Sequence, residues 1–201
     1  METIRKITED DMVAAFLKAE IDSPRFGDGV KTALKNAGAG QNIVMSPNTD
    51  DSEENKLRAT VLGECRGYPD KQIFSGFPVD VSWEFASLEK SDLEKILYID
   101  DDYWVKLSNG TRLPTEAAKN INNGVEIYEQ SNQRFIDTAE KIRNGIELPE
   151  MIIVGDRKGG KLVVIEGHLR LTSYAMALDA VPDNLKAIVG YSENMGNWEL
   201  F

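Results

Sequence analysis

An α+β fold, a small mixed sheet with helices packed on it, is what this sequence predicts, and three observations predict it. Apolar residues recur at helical spacing in several segments, most plainly over residues 8–21, 134–143 and 167–178. Strand-sized apolar runs stand beside them, Met151 to Val154, Lys161 to Ile165 and Leu185 to Val189. Over the last seventy or so residues the order is helix, strand, hairpin turn, strand, helix, strand, which sets helices against a sheet.

The elements follow in order. Thr8 is an N-cap, with Asp11 completing a capping-box-like pair, and Met12, Ala15, Phe16 and Ala19 make an apolar helix face through Ile21. Pro24 closes this helix, and a second over Val30 to Ala37 stops at Gly38. Residues 38–56 are rich in Gly, Ser, Asn, Asp and Glu and read as a mobile acidic loop. Val79, Val81, Trp83 and Phe85 alternate with polar residues as a half-buried strand does. Ser91 starts a helix carrying Leu93, Ile96 and Leu97; Asp100 to Asp102 make a turn; Pro114 opens a short helix ending at Asn122 to Gly124. The turn Gly155 to Gly160 joins the strands on either side into a hairpin. The composition break predicts a helical N-terminal region over 1–75 and an α+β domain over 76–201.

Charge and composition exclude several classes of function. The 201 residues carry 34 acidic and 23 basic side chains, a formal net charge of −11. That balance, without a Lys/Arg stripe, argues against direct binding to duplex DNA through its phosphates. One cysteine, Cys65, and one histidine make neither an internal disulfide nor a four-ligand zinc site. No apolar run approaches the roughly 18 residues of a membrane span, and Met1 to Asp11 is too acidic and broken for a signal peptide. The expected location is the cytoplasm.

The chemistry concentrates in Ile165-Glu166-Gly167-His168-Leu169-Arg170-Leu171. A strand brings the chain to Gly167, where the missing side chain lets a ligand approach the backbone. A helix then begins at once, and its unpaired N–H groups and positive dipole end suit a phosphate. His168 and Arg170 supply directed donors in the first turn, Arg170 with two nitrogens at once. Glu166 is placed to hold a metal ion, position water or accept a proton. Thr172 and Ser173 offer hydroxyls to the same ligand. Arg112 reaches toward it from an earlier loop or makes a surface ion pair. The apolar tail Trp198, Leu200 and Phe201 packs back on the core or docks on a partner.

These residues resemble the ParB/sulfiredoxin-like superfamily. The matching pattern is the Leu148-Pro149 entry, the strand Met151 to Val154, the turn, the strand Lys161 to Ile165, the box Gly167-His168-Leu169-Arg170, the small-residue helix Thr172 to Leu178 and the strand Leu185 to Val189. The resemblance implies binding of ATP or CTP, usually with Mg2+, with the triphosphate on the helix after the box. Gly167 and Arg170 match the glycine and arginine of the box, and His168 the histidine of its Gly-His-x-Arg form. The sulfinic-acid reductase reading fails because that group's cysteine is absent from the box and Cys65 lies outside it. The DNA-partitioning clamp is set aside because the box lacks an acidic residue and paired arginines, and no helix-turn-helix follows before Phe201.

Two functions follow. In one, the chain is a nucleotide-binding NTPase or phosphotransferase, in which Gly167 cradles phosphate, Arg170 offsets developing charge, His168 binds or protonates a phosphate oxygen and Glu166 positions magnesium or water. In the other, it is a non-catalytic module that senses nucleotide or contacts a protein partner in a regulatory or mobile-element system.

Overall fold

A computed structural model describes residues 1–201. Six strands, β1 (Glu2–Ile7), β2 (Ser82–Leu88), β3 (Ile96–Leu97), β4 (Met151–Gly155), β5 (Leu162–Glu166) and β6 (Leu185–Tyr191), form one mixed sheet in the order β1-β2-β6-β4-β5-β3. β1–β2, β2–β6 and β4–β5 pair antiparallel, and β4–β6 and β3–β5 pair parallel. The helices are α1 (Glu9–Glu20), α2 (Gly27–Asn36), α3 (Asn42–Met45), α4 (Ser52–Arg66), α5 (Lys90–Leu93), α6 (Asp102–Leu107), α7 (Pro114–Asn122), α8 (Gln133–Arg143) and α9 (His168–Met176). The fold class is α+β, and no helix is long and apolar enough to cross a membrane.

The continuous apolar runs of β4 and β5 have a direct cause: helices cover both faces of the sheet, so neither face of these strands meets water. Side chains alternate across it. Ile152, Val154, Val163 and Ile165 pack with Phe16 and Leu17 of α1, Val30 of α2 and Leu62 of α4. Met151, Ile153, Leu162 and Val164 pack with Ala117 and Ile121 of α7, Phe135, Ala139 and Ile142 of α8, and Leu171 and Tyr174 of α9. Each large apolar side chain buried this way contributes about 1.5–3 kcal/mol. Gly190 of β6 lies opposite Trp83 of β2, and a Cβ there would stand 2.6 Å from the indole, so only glycine lets that ring lie across the strand.

Several expectations need correction. Residues 1–75 do not form a helical region apart from the sheet: β1 is its edge strand, and α1 to α4 share one core with β4, β5 and β6. β1 carries no apolar alternation because five of its six residues are exposed, leaving backbone pairing to β2 as its organising force. The acidic stretch 38–56 is not a loop throughout. Asp51 caps α4 by accepting from the N–H groups of Glu53 and Glu54, and those two glutamates sit where the helix dipole favours negative charge. Arg58, fully buried, ties the segment down by donating to Ile43 O and Asn48 O, each at 2.9 Å, and by pairing with Glu54. The strand expected from Val79 runs instead from Ser82 to Leu88, and Ile96 and Leu97 belong to β3 rather than to a helix.

The C-terminal tail packs back on the body. Trp198 is buried and its Nε1 donates to Ile73 O at 2.7 Å, while Arg112 donates to the carbonyls of Tyr98, Leu200 and Phe201. Arg112 is thus a clasp for the tail and not a phosphate ligand.

Candidate functional site

β5 ends at Glu166, Gly167 turns the chain with φ +101°, and α9 begins at His168. That left-handed backbone suits glycine, and a Cβ would also stand 2.9 Å from Met151 Cγ and 3.0 Å from Arg170 Nη2. The missing side chain of Gly167 therefore makes room for the Arg170 guanidinium. No side chain caps α9, so its positive end is not neutralised by a built-in acceptor.

Arg170 folds back over this turn. Its Nη2 donates to Glu166 Oε1 at 2.9 Å and Glu150 O at 3.3 Å, while its buried Nε has no partner. The guanidinium is held in the protein, not in bulk water, with the side chain 11% exposed.

His168 lies against aromatic rings. Trp104 of α6 stacks on it at 4.9 Å between centroids, and Tyr98 lies nearly parallel at 6.2 Å. The residue keeps a partly exposed edge, but Nε2 is covered and unpartnered. Burial, and then the charges of Arg66, Arg170 and Arg25, push the imidazole pKa down to about 3. His168 is thus neutral at physiological pH, where its ring can bind a phosphate oxygen through an N–H but carries no imidazolium charge.

Thr172 and Ser173 do not face a ligand. Both are fully buried; Thr172 Oγ1 bonds Tyr98 Oη at 2.7 Å and His168 O at 2.8 Å, and Ser173 Oγ donates to Phe135 O and Leu169 O. Their place on the inner face of α9, at helical spacing from Leu169, commits both hydroxyls to internal acceptors.

The structure adds residues that the motif did not reveal. Glu20, the last residue of α1, is buried and its carboxyl meets that of Glu166. Burial and the neighbouring Glu166 charge push the Glu20 pKa up to about 8, against the pull of Arg66 and Arg170. Arg66, the last residue of α4, brings Nε to 3.5 Å from Glu20 Oε1 and stacks on the Phe26 ring at 3.8 Å. A signal for Glu20 was present: with Met12, Val13, Phe16 and Leu17 it falls on the buried face of α1, a place glutamate takes only with a partner. Arg66 likewise continues the buried line of Leu62 on α4.

With Glu20 protonated and His168 neutral, two arginines stand against one carboxylate, which suits an anion. The donor set does not suit a resident magnesium ion: no three His, Cys, Asp or Glu side chains converge, Glu166 is paired with Arg170, and both carboxyls lie beside guanidinium groups. The Cys65 thiol beside Arg66 is pushed up to about 11 by burial and is no nucleophile. A separate surface groove of about 460 Å³, lined by Lys6, Glu9, Trp83, Glu84 and Lys158, contains none of these groups. No protein-family model, curated protein or solved structure matches this chain.

Proposed function

We propose that this chain binds a nucleotide, ATP or CTP, through its phosphates at the start of α9. One observation carries the reading: beside an uncapped helix N-terminus, Arg170 Nε and His168 Nε2 are both buried without a partner. A buried polar group left unpaired costs about 1–3 kcal/mol. Phosphate oxygens accept from an arginine Nε–H, from a neutral imidazole N–H and from the free amides of a helix start. The resemblance of Gly167-His168-Leu169-Arg170 to the ParB/sulfiredoxin-like box supports the same ligand.

Binding or sensing is favoured over turnover. A neutral His168 supplies no proton as an imidazolium, and Glu166 is engaged by Arg170 and Glu20 instead of standing free to orient water. The test is a thermal-shift panel of ATP, CTP and inorganic phosphate, with and without magnesium, beside a phosphate-release assay. The reading expects a rise in Tm with a nucleotide that Arg170→Ala abolishes, and no sustained release. No rise with any of the three overturns nucleotide binding, and sustained release overturns the non-catalytic form.

A further inference from the structure

Outside the α9 site, the groove of about 460 Å³ holds an ammonium cradle that the chain fills with its own Lys158. Glu84 of β2 is a buried carboxylate, its side chain 9% exposed. Thr3 Oγ1 donates to Glu84 Oε1 at 2.7 Å, and Lys158 Nζ pairs with Glu84 Oε2 at 2.9 Å. The same Nζ donates to Thr3 Oγ1 at 2.8 Å and stands 5.9 Å from the Tyr191 ring centroid, within reach of a cation–π attraction. A hydroxyl from β1, a carboxylate from β2 and an aromatic ring from β6 thus surround one ammonium group.

The cradle is fixed in the sheet, but its occupant is not. Lys158 belongs to the turn between β4 and β5 and reaches past β6 to Glu84. Its side chain is 65% exposed on a flexible four-carbon stem, so it leaves by rotation alone. Between Asp156 and Gly160 the one backbone-to-backbone hydrogen bond stays within the turn, from Gly160 N–H to Arg157 O. With Lys158 swung out, the groove sets two carboxylates, Glu84 and Glu9, against one ammonium, Lys6, a single negative charge that suits one cation. Ile7, Val81 and Trp83 give it an apolar wall along which an alkyl chain can lie.

We propose that this groove binds a primary ammonium group on an unbranched alkyl chain, with Lys158 as its built-in competitor. The incoming ammonium takes the place of Lys158 Nζ, donating to Glu84 and Thr3 beside the Tyr191 ring. A buried carboxylate without a cation is costly, so one ammonium exchanges for the other. No covalent bond is made or broken. An ion pair to so exposed a lysine is worth about 1 kcal/mol at most, so Lys158 weakens ligand binding about fivefold without abolishing it. The proposal stands apart from the nucleotide reading. A free amine and the lysine side chain of a partner present the same group, and the test separates them.

The test follows the backbone amide signals of Thr3 and Glu84 by NMR as n-butylammonium is added to the full chain, with n-butanol as the uncharged control. Lys158→Ala empties the cradle without altering it and should bind n-butylammonium about fivefold more tightly than the wild type. Glu84→Gln in the Lys158→Ala chain should abolish that binding, and n-butanol should leave the signals unmoved. A peptide with one lysine, beside its Nζ-acetylated form, identifies the source. Tighter binding than n-butylammonium, lost on acetylation, assigns the groove to a partner's lysine; weaker binding assigns it to a free amine. No saturable shift in Lys158→Ala, equal affinity in that variant and the wild type, an equal response to n-butanol, or binding that survives Glu84→Gln each overturns the proposal. The wild type alone also decides it: no response at about fivefold higher amine sinks the idea without any variant.

Discussion

The carboxyls of Glu20 and Glu166 meet across the seam between the N-terminal helices and the sheet. A buried carboxyl persists beside another only by keeping a proton, and this proton makes folding stability depend on pH. The folded pKa of Glu20, about 8, lies above its ordinary value of 4.5, so the native state binds this proton more tightly than the unfolded chain. The corresponding stability is fully present below pH 4.5 and is lost as pH rises through about 8. Urea unfolding of Glu20→Gln should lack this decline and should exceed the wild type in stability at pH 8, relative to their difference at pH 5. Parallel pH profiles for the two proteins would show that Glu20 does not keep its proton.

His168 behaves in the opposite sense. Its folded pKa, about 3, lies below the ordinary 6.5, so its contribution is present above 6.5 and lost as pH falls toward 3. It is the only histidine in the chain, so one NMR signal reports on it without ambiguity. Its Cε1–H shift should stay constant from about pH 8 to pH 5; a midpoint near the ordinary value would show an exposed, chargeable ring.

Gly167→Ala forces a side chain into a backbone with φ +101° and against the Arg170 guanidinium. A loss of about 1–2 kcal/mol is expected from the left-handed conformation alone. The Tm should fall, and Arg170 Nε–H should shift in the NMR spectrum because the guanidinium must move. An unchanged Arg170 signal would mean that the glycine does not make its room.

Thr172→Val removes the hydroxyl that pairs with the buried Tyr98 Oη. The orphaned phenol should cost about 1–3 kcal/mol in urea unfolding. Nucleotide binding should persist, because Thr172 faces the core; loss of binding in a folded Thr172→Val protein would return it to the site.

Arg112→Met leaves the carbonyls of Tyr98, Leu200 and Phe201 without their charged donor. A destabilisation of about 2 kcal/mol is expected. The backbone N–H of Asp100, which donates to Leu200 O at 2.9 Å, should then exchange with solvent faster; unchanged exchange would show that the tail is held without Arg112.

Where local chemistry and packing agree, the sequence was transparent. The Thr8–Asp11 capping box forms as its residues require, Pro114 opens α7, and the apolar runs of β4, β5 and β6 become the covered centre of the sheet. Elements whose cause lies elsewhere in the chain were opaque. β1 is a strand because β2 offers it backbone partners, and nothing in the alternation of Glu2 to Ile7 announces this. The acidic run before Lys56 is helical because Asp51 caps it and Arg58 anchors it to carbonyls of Ile43 and Asn48.

The site divides along the same line. The turn at Gly167 and the placing of Arg170 in the first turn after it are properties of a few consecutive residues, since the need for a left-handed backbone and the pitch of a helix are local. That Thr172 and Ser173 point inward, that His168 is neutral beneath Trp104, and that Glu20 and Arg66 join Glu166 and Arg170 are outcomes of packing. Burial and the charges of distant segments set protonation and free donors, and those are decided only when two layers of helices close on one sheet.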